Sequence, residues 1–297
     1  MATLSDWVEG ARPRTLPAAA APVLVGTAAA DYLGGLHAGR ALLALVVALA
    51  LQIGVNYSND YSDGIRGTDE HRKGPARLTG GHLAAPRTVL AAALACFAVA
   101  GVAGLVLLAL SGQWILLVPG VAAVIAAWFY TGGRTPYGYM GIGLSELFVF
   151  VFFGLMACAG TTWTQIQEAP SWLWSAASAL GLLSVALLMA NNIRDIPSDR
   201  ASGKKTLAVR LGDSASRSVY TGCFTIAVFT LGLLVHLIGY PIWIGVVAMI
   251  GAAAAAAPAI RPVVSGATGT GLIPALKTTG LYTLAWAIAA SAFLVLA

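Results

Sequence analysis

The stretch that decides the fold is "LLALVVALALQIGV" (42–55), which runs directly into "NYSNDYSDGIRGTDEHRKGP" (56–75). The first part is apolar and uncharged, which is typical of a helix that crosses a membrane. The second part carries four acidic and three basic side chains within its twenty residues. A change this abrupt marks either a solvated loop between membrane helices or the place where a membrane protein does its chemistry.

The whole chain shares this apolar character. Hydrophobic residues make up 58% of it and charged residues 10%, whereas soluble domains carry about 25% charged residues. Its apolar runs lack the alternation of barrel strands and therefore indicate helices. We predict a single all-α domain over residues 1–297, a polytopic membrane protein with nine transmembrane helices around a central cavity. The polar N-terminus predicts no cleavable signal. The approximate spans are 14–34, 40–60, 86–110, 113–131, 141–160, 172–193, 217–238, 241–262 and 273–296.

Basic residues are distributed unequally across this topology. With nine spans, all 17 Lys and Arg residues except Arg40 fall on one side. Because loops rich in Lys and Arg stay in the cytoplasm, we predict a cytoplasmic N-terminus. This placement accounts for the net charge of +5, so a nucleic-acid partner is not needed to explain it.

The acidic residues lie on that same side. Of the twelve Asp and Glu residues, only Asp31 and Glu168 fall opposite. A carboxylate at the centre of a membrane helix costs about 2.5–3.5 kcal/mol on insertion scales. Acidic residues gathered at helix ends therefore indicate a function.

Carboxylate and amide side chains repeat a four-residue spacing at the ends of the second and sixth predicted spans. Residues four apart on an α-helix share a face, and a residue three further on can join it. Both sets are therefore predicted to point into the central cavity. Their members are Asn56, Asp60 and Asp63 in the first set, and Asn191, Asp195 and Asp199 in the second.

Carboxylates stacked on one helix face repel each other unless a cation lies between them. Mg²⁺ prefers oxygen ligands and is commonly shared with substrate phosphates. Acids that bind metal and are surrounded by bases suit a diphosphate. The alternative interpretation is an ordinary solvated loop whose bases only set the topology. The bases in question are Arg66, Arg72, Lys73, Arg77, Arg194, Lys204 and Lys205.

At these residues the chain resembles the UbiA superfamily of intramembrane prenyltransferases, whose Asp-rich motifs follow helices 2 and 6. The resemblance covers nearly the whole chain. It includes "RPRTLPAAAAPVLVGTA" (12–28), "NYSNDYSDGIRGTDEHRKGPARL" (56–78), "YTGGRTPYGYMGIGLSELFVFVFFG" (130–154) and "NNIRDIPSDRASGKKTLAVRLG" (191–212). The second and fourth of these stretches are most similar to members that act on 1,4-dihydroxy-2-naphthoate.

The resemblance implies transfer of a polyprenyl group from polyprenyl diphosphate to 1,4-dihydroxy-2-naphthoate, with decarboxylation to demethylmenaquinone. It also implies Mg²⁺, with two ions expected, and a place in the cytoplasmic membrane of a bacterium with the active site facing the cytoplasm. One alternative is the same chemistry on another acceptor, 4-hydroxybenzoate or homogentisate. A different class of protein, a membrane transporter, is the other alternative.

The site residues implied by the resemblance fall into three groups. Asn56 and Asp60 match the first motif, but its third place holds Gly64, so that role passes to Asp63 or Asp69. The implied metal ligands are Asn56, Asp60, Asp63, Asn191, Asp195 and Asp199. The implied catalytic residues are Asp60, Asp63, Asp69, Asp195, Asp199, Tyr130 and Arg134. The implied substrate-binding residues are Arg66, Arg72, Lys73, Arg77, Tyr137, Glu146, Arg194, Lys204 and Lys205.

Two further features complete the expected site. Tyr130 and Arg134 stand where the superfamily has Tyr-x3-Lys, and Arg preserves the binding of an anion. Loops at about 61–85 and 196–212 are expected to cover the cavity and exclude water from the allylic cation.

Overall fold

A computed structural model describes residues 2–67 and 77–297 of the chain. Every regular element in these residues is a helix, which confirms the all-α prediction. Short 3₁₀ turns join some of the helices, and a π-helical turn, Val151–Met156, links α6 to α7. The helices are α1 Leu4–Gly10, α2 Leu16–Tyr32, α3 Ala38–Ile65, α4 Pro86–Ser111, α5 Leu117–Phe129, α6 Leu144–Phe150, α7 Ala157–Ile166, α8 Ser171–Ala201, α9 Leu207–Leu211, α10 Asp213–Leu237, α11 Ile242–Val264 and α12 Ile273–Leu296.

Within residues 2–67 and 77–297, seven helical segments are long and apolar enough to cross a membrane, so the prediction of a polytopic membrane protein is confirmed. The other two predicted spans are shorter helices. One is α2, which has 17 residues, and the other is the apolar segment Trp114–Phe129. The seven segments are Ala38–Ile65, Pro86–Ser111, Leu144–Ile166, Ser171–Ala201, Asp213–Leu237, Ile242–Val264 and Gly269–Leu296.

Both acidic sets lie inside regular helix rather than after it. Helix α3 continues to Ile65 and α8 to Ala201, although the apolar pattern predicted ends at 60 and 193. The polar turns stay helical because tertiary packing holds them. Asp63 on α3 and Asp199 on α8 are both buried. The acids therefore belong to rigid elements, which fixes their directions.

Helix α8 forms the centre of the fold. In the most apolar 18-residue stretch of α8, 72% of the residues are buried, whereas 17–50% are buried in the corresponding stretches of the other six segments. Leu180, Leu183 and Met189 have no exposed surface. Helices α10, α12, α6 and the π turn pack around α8, and α3 packs with α4 as a second unit. The polar end of α8 is consequently held by a core on several sides.

The π turn sits at a very close helix crossing. A Cβ on Gly154 would lie 2.4 Å from the Cα of Gly181 and 2.7 Å from the carbonyl oxygen of Ala177. Only glycine allows two backbones to approach this closely. π turns place one extra residue in a helix and often occur at functional sites.

Arg40 has a structural reason to lie opposite the other basic residues. Its guanidinium donates to the carbonyl oxygens of Leu110 at 2.7 Å, Thr164 at 3.1 Å and Gln165 at 3.2 Å. These carbonyls belong to the last turns of α4 and α7, where intrahelical donors run out. Arg40 thus joins three helices at this end of the bundle.

Gly154→Ala tests the close crossing. The added methyl group would meet backbone atoms that cannot rotate away, and overpacking of this kind typically costs about 1–3 kcal/mol. We expect a lower thermal unfolding midpoint for the purified protein in detergent. Gly251→Ala is the matched control, because a Cβ there meets no atom within 4 Å. An unchanged midpoint for Gly154→Ala would contradict the crossing.

Candidate active site

A cavity of about 670 Å³ joins the polar ends of α3 and α8 to an apolar interior. Its apolar part lies between α3, α4, α5 and the α6–α7 segment, with walls that include Leu51, Phe97, Leu108 and Met156. Its polar part contains amides, carboxylates and cations. These residues include Arg12, Gln52, Asn56, Asn59, Asp63, Arg77, Asn191, Asn192, Asp195, Asp199 and Lys204, and the hydroxyl of Ser198 lies among them.

The first acidic set meets the cavity in a different register from the one that the spacing suggested. Asn59 and Asp63, also four residues apart, both line the cavity. Asn59 accepts a hydrogen bond from the hydroxyl of Thr131 at 2.8 Å. The sequence interpretation had paired Asn56 with Asp60 and did not include Asn59.

Asn56 and Asp60 instead hold other parts of the chain. Asn56 lines the cavity, but its amide nitrogen donates to the carbonyl of Ala11 at 2.8 Å. Asp60 has no exposed surface and is not among the lining residues in the described part of the chain. Its two oxygens accept backbone hydrogen bonds from Leu78 at 3.0 Å and from Thr79 at 2.8 Å.

Two side chains hold the carboxylate of Asp63. The hydroxyl of Tyr139 donates to its Oδ1 at 2.5 Å, and the ammonium of Lys204 lies 3.6 Å from its Oδ2. The Tyr139 ring also lies under two cations, Lys204 at 4.8 Å and Arg66 at 5.4 Å from its centroid. Tyr139 was not predicted as a site residue, because its role depends on a contact 76 residues away in the chain.

Lys204 keeps its positive charge in this setting. Burial alone would lower the pKa of the ammonium, but the carboxylates of Asp63 and Asp199 outweigh it and hold the pKa above its usual range. A partly buried cation with a raised pKa is available to an anionic ligand at any physiological pH. The cavity therefore has a fixed positive group beside its oxygen donors.

The second acidic set lines the cavity as predicted. Asn191, Asp195 and Asp199 all contribute to the wall, and Asn192 and Ser198 extend it. Arg194 lies behind this wall, 6% exposed, and its guanidinium donates to both oxygens of Asp195 at 2.7 and 2.6 Å. A bidentate pair of this kind fixes the plane of the carboxylate.

The predicted site residues fall into three groups by their position in the structure. Asp69, Arg72 and Lys73 lie outside the described residues. Of the others, the structure brings nine into the wall of one cavity and leaves six outside it. The nine are Asn56, Asp63, Arg77, Tyr130, Tyr137, Asn191, Asp195, Asp199 and Lys204; the six are Asp60, Arg66, Arg134, Glu146, Arg194 and Lys205.

Those outside the wall have distinct surroundings. Arg66 donates to the carbonyls of Thr131 and Gly133 and so ties α3 to the turn after α5. Arg134 and Lys205 are exposed. Glu146 is partly buried, and its Oε1 has no hydrogen-bond partner within the part of the chain that the structure describes.

Four aromatic rings form a continuous row along the cavity wall. Tyr130 meets Tyr137 at 5.6 Å between centroids, Tyr137 meets Phe148 at 5.1 Å, and Phe148 meets Phe152 at 5.9 Å. All four line the cavity. The predicted shared face of Phe148 and Phe152 is therefore confirmed, and the row leads from the polar part into the apolar part.

Residues 19–265 match the model of the UbiA prenyltransferase family. The chain belongs to the UbiA prenyltransferase family. A relative from Mycobacterium tuberculosis, 1,4-dihydroxy-2-naphthoate octaprenyltransferase, is 51% identical over 290 residues, covering 97% of this chain and 96% of the relative. An Escherichia coli protein of the same name is 40% identical over 223 residues, covering 73% and 71%.

Solved structures of UbiA homologues share the fold. The apo structure from Aeropyrum pernix gives a TM-score of 0.70 at 17% identity, covering 95% of this chain and 97% of that one. The structure from Archaeoglobus fulgidus bound to DMAPP and Mg²⁺ gives 0.67 at 15% identity, covering 97% and 99%. The path of this chain is thus that of UbiA proteins.

Tyr139→Phe tests the support of Asp63. The substitution keeps the ring under both cations and removes one hydrogen bond to a carboxylate, a bond worth about 1.5–3 kcal/mol. We expect diphosphate release from an allylic diphosphate to fall by about tenfold or more, measured as kcat/KM. Tyr61→Phe, on α3 but outside the cavity wall, is the matched control. Equal activity of the two variants would contradict a role for Tyr139.

Proposed function

We propose that this UbiA protein transfers a polyprenyl group from polyprenyl diphosphate to 1,4-dihydroxy-2-naphthoate, releasing CO₂ and yielding demethylmenaquinone in its quinol form. One observation carries the proposal: a single cavity joins a polar end built for an anion to a long apolar interior. A polyprenyl diphosphate has the same two parts. The names and high identities of the relatives from Mycobacterium tuberculosis and Escherichia coli support the choice of acceptor.

The oxygen donors of the cavity fit Mg²⁺. Within the described ranges, no group of three or more His, Cys, Asp or Glu side chains is close enough to hold a metal ion alone. Mg²⁺ is commonly bound by one or two carboxylates with substrate phosphates completing its shell. We propose two ions, one at each acidic set, with ligands drawn from Asn59, Asp63, Asn191, Asn192, Asp195 and Asp199. When bound, Mg²⁺ neutralises the charge that develops on the leaving diphosphate.

Cations of the chain complete the diphosphate site. Lys204 and Arg77 line the polar part of the cavity, and both are proposed to bind diphosphate oxygens. Arg194 acts indirectly in this proposal, since it orients Asp195. Arg66 likewise acts through Tyr139 and the turn after α5.

The aromatic row is suited to stabilising the allylic cation that forms when the diphosphate leaves. As the C–O bond of the donor breaks, the electron pair leaves with the diphosphate and an allylic cation remains. The electron-rich naphthalene ring attacks this cation, and the acceptor then loses its carboxyl group as CO₂. Tyr137 and Phe148 lie at the junction of the polar and apolar parts, where a ring face near a cation is worth about 0.5–2 kcal/mol.

The apolar interior is proposed to hold the prenyl tail and to keep water from the cation. Gly120 of α5 lines this part, and a Cβ there would meet no atom within 4 Å. A glycine inside a helix costs about 1 kcal/mol relative to alanine. Here no neighbouring backbone requires it, so its effect is to widen the cavity.

The topology follows from the charge distribution. We propose nine spans, with α2 and the segment Trp114–Phe129 crossing as shorter helices, and a cytoplasmic N-terminus. The polar end of the cavity then faces the cytoplasm of a bacterial cell. Covering loops were predicted at about 61–85 and 196–212, but residues 61–65 belong to α3, 196–201 to α8 and 207–211 to α9. Residues 68–76 of the first range lie outside the described residues. We propose that the described connections 77–85 and 202–206 cover this end of the cavity.

A panel of acceptors tests the reaction. Purified protein in detergent, given one prenyl diphosphate and Mg²⁺, is expected to prenylate 1,4-dihydroxy-2-naphthoate and to release CO₂. Product formation would be followed by mass spectrometry, with excess EDTA expected to abolish it. Turnover of 4-hydroxybenzoate or homogentisate in place of the naphthoate would replace the acceptor assignment. Substrate transport into liposomes without turnover would replace the enzyme assignment.

Gly120→Leu tests the tail site. The added side chain would project into the cavity and reduce the length available to the tail. We expect kcat/KM to fall by about tenfold for octaprenyl diphosphate and to change little for geranyl diphosphate. Gly222→Leu is the matched control on α10, outside the cavity wall, where a Cβ also meets nothing within 4 Å. Equal losses for both chain lengths would contradict this placement of the tail.

A further inference from the structure

Asp60 is a buried carboxylate that lies outside the proposed reaction site. Its carboxylate has no exposed surface and no place among the cavity-lining residues of the described chain. Its Oδ2 accepts from the backbone N–H of Leu78 at 3.0 Å, and its Oδ1 accepts from that of Thr79 at 2.8 Å. A group this buried is retained only when its hydrogen-bonding capacity is met.

The chemistry of this contact requires aspartate. Two backbone donors approach two different oxygens, so the side chain must accept on both. Asparagine has one oxygen, and its NH₂ group would face the second N–H as a donor against a donor. The aspartate is therefore matched to the turn that contains Leu78 and Thr79.

The same turn is held from two other directions. Leu78 is 1% exposed and packs in a small core with Tyr57 of α3 and Val89 of α4. Gly64 of α3 lies so close that a Cβ there would meet the Thr79 side chain at 2.4 Å. Hydrogen bonds from Gly81 to the carbonyl of Arg77 at 3.0 Å and from Leu83 to that of Leu78 at 3.0 Å close the turn.

The residue next to this anchor lines the cavity. Arg77 directly precedes Leu78, and its side chain forms part of the polar wall with Asp63 and Lys204. Fixing the backbone N–H groups of residues 78 and 79 fixes where the preceding residue begins. A cation placed by a rigid backbone binds an anion without first losing conformational freedom.

We propose that Asp60 is a positioning residue that anchors the turn at Leu78 and Thr79 and thereby holds Arg77 in the diphosphate site, rather than a metal ligand. This inference rests on the proposed function, because it takes the anion at Arg77 to be the diphosphate of the prenyl donor. Asp60 and Asp63, three residues apart on one helix, then have separate tasks.

Asp60→Asn and Asp63→Asn form the matched pair that tests the proposal. For Asp60→Asn we expect the KM for prenyl diphosphate to rise by about tenfold, with half-saturating Mg²⁺ unchanged. For Asp63→Asn we expect half-saturating Mg²⁺ to rise by about tenfold or more. A rise in half-saturating Mg²⁺ for Asp60→Asn equal to that of Asp63→Asn would show that Asp60 is a ligand and overturn the proposal.

Hydrogen–deuterium exchange of the full-length protein in detergent gives a readout that needs no activity. Asp60→Asn is expected to speed exchange in peptides covering residues 77–84, and Asp63→Asn to leave that exchange as in the parent protein. Unchanged exchange in Asp60→Asn would overturn the anchor. If the parent protein transfers no prenyl group, the proposed function fails, while this comparison still decides whether Asp60 anchors the turn.

A double variant tests whether Asp60 acts through Arg77. If it does, Asp60→Asn combined with Arg77→Gln should raise the donor KM no further than Arg77→Gln alone. A donor KM for the double variant that is raised by the product of the two single effects would overturn the proposed route.

Should Asp60→Asn fail to fold, Leu78→Ala loosens the same turn without touching Asp60. It is then expected to raise the donor KM and the exchange at 77–84 while leaving half-saturating Mg²⁺ unchanged, and an altered Mg²⁺ requirement would count against the proposal.

Discussion

The structure depends on the hydrogen bonds and ion pairs that stabilise carboxylates at the polar ends of its membrane helices. An isolated buried carboxylate is strongly unfavourable, so each needs partners supplied by the chain. Asp63 has Tyr139 and Lys204, Asp195 has Arg194, and Asp60 has two backbone amides. Arg194 is the chain neighbour of Asp195 on α8. The partners of Asp63 and Asp60 come from turns distant in sequence, so these two acids also determine how the segments between the helices fold back on the bundle.

The carboxylates are of two kinds: those that line the cavity, and those that hold the backbone of a neighbouring turn. A carboxylate in the cavity wall keeps some lone pairs facing the cavity, whereas one with both oxygens on backbone N–H groups is part of the scaffold. Asp63 and Asp60 show the difference within a single turn of α3. Under the proposed assignment, a stretch dense in acidic residues contains both kinds, and fewer of its carboxylates bind metal than its charge suggests.

Sequence reasoning reached the helical class, most of the membrane helices and the convergence of two distant polar helix ends, because those features follow from hydropathy and four-residue spacing. It did not fix the register of the first set. Asn56 with Asp60 and Asn59 with Asp63 have the same spacing, and only packing of α3 against its neighbours decides that Asp63 rather than Asp60 lines the cavity. Tyr139 was missed for a related reason, since its partner Asp63 is adjacent in space and not in sequence. Helix lengths were underestimated at α3 and α8, because polar residues buried by tertiary contacts read as loop.

The π turn at Val151–Met156 has a consequence for how this chain can change. One extra residue there offsets every side chain that follows by about 100° relative to a regular α-helix. Deleting a single codon between 151 and 156 would restore regular helix. It would also rotate Thr161, Thr164 and Gln165 away from their present neighbours, including the guanidinium of Arg40. Tyr130, Tyr137 and Phe148 of the aromatic row precede the turn and would stay where they are, whereas Phe152 lies within it. Insertions and deletions are thus constrained at this point, in addition to substitutions of Gly154 at the close helix crossing.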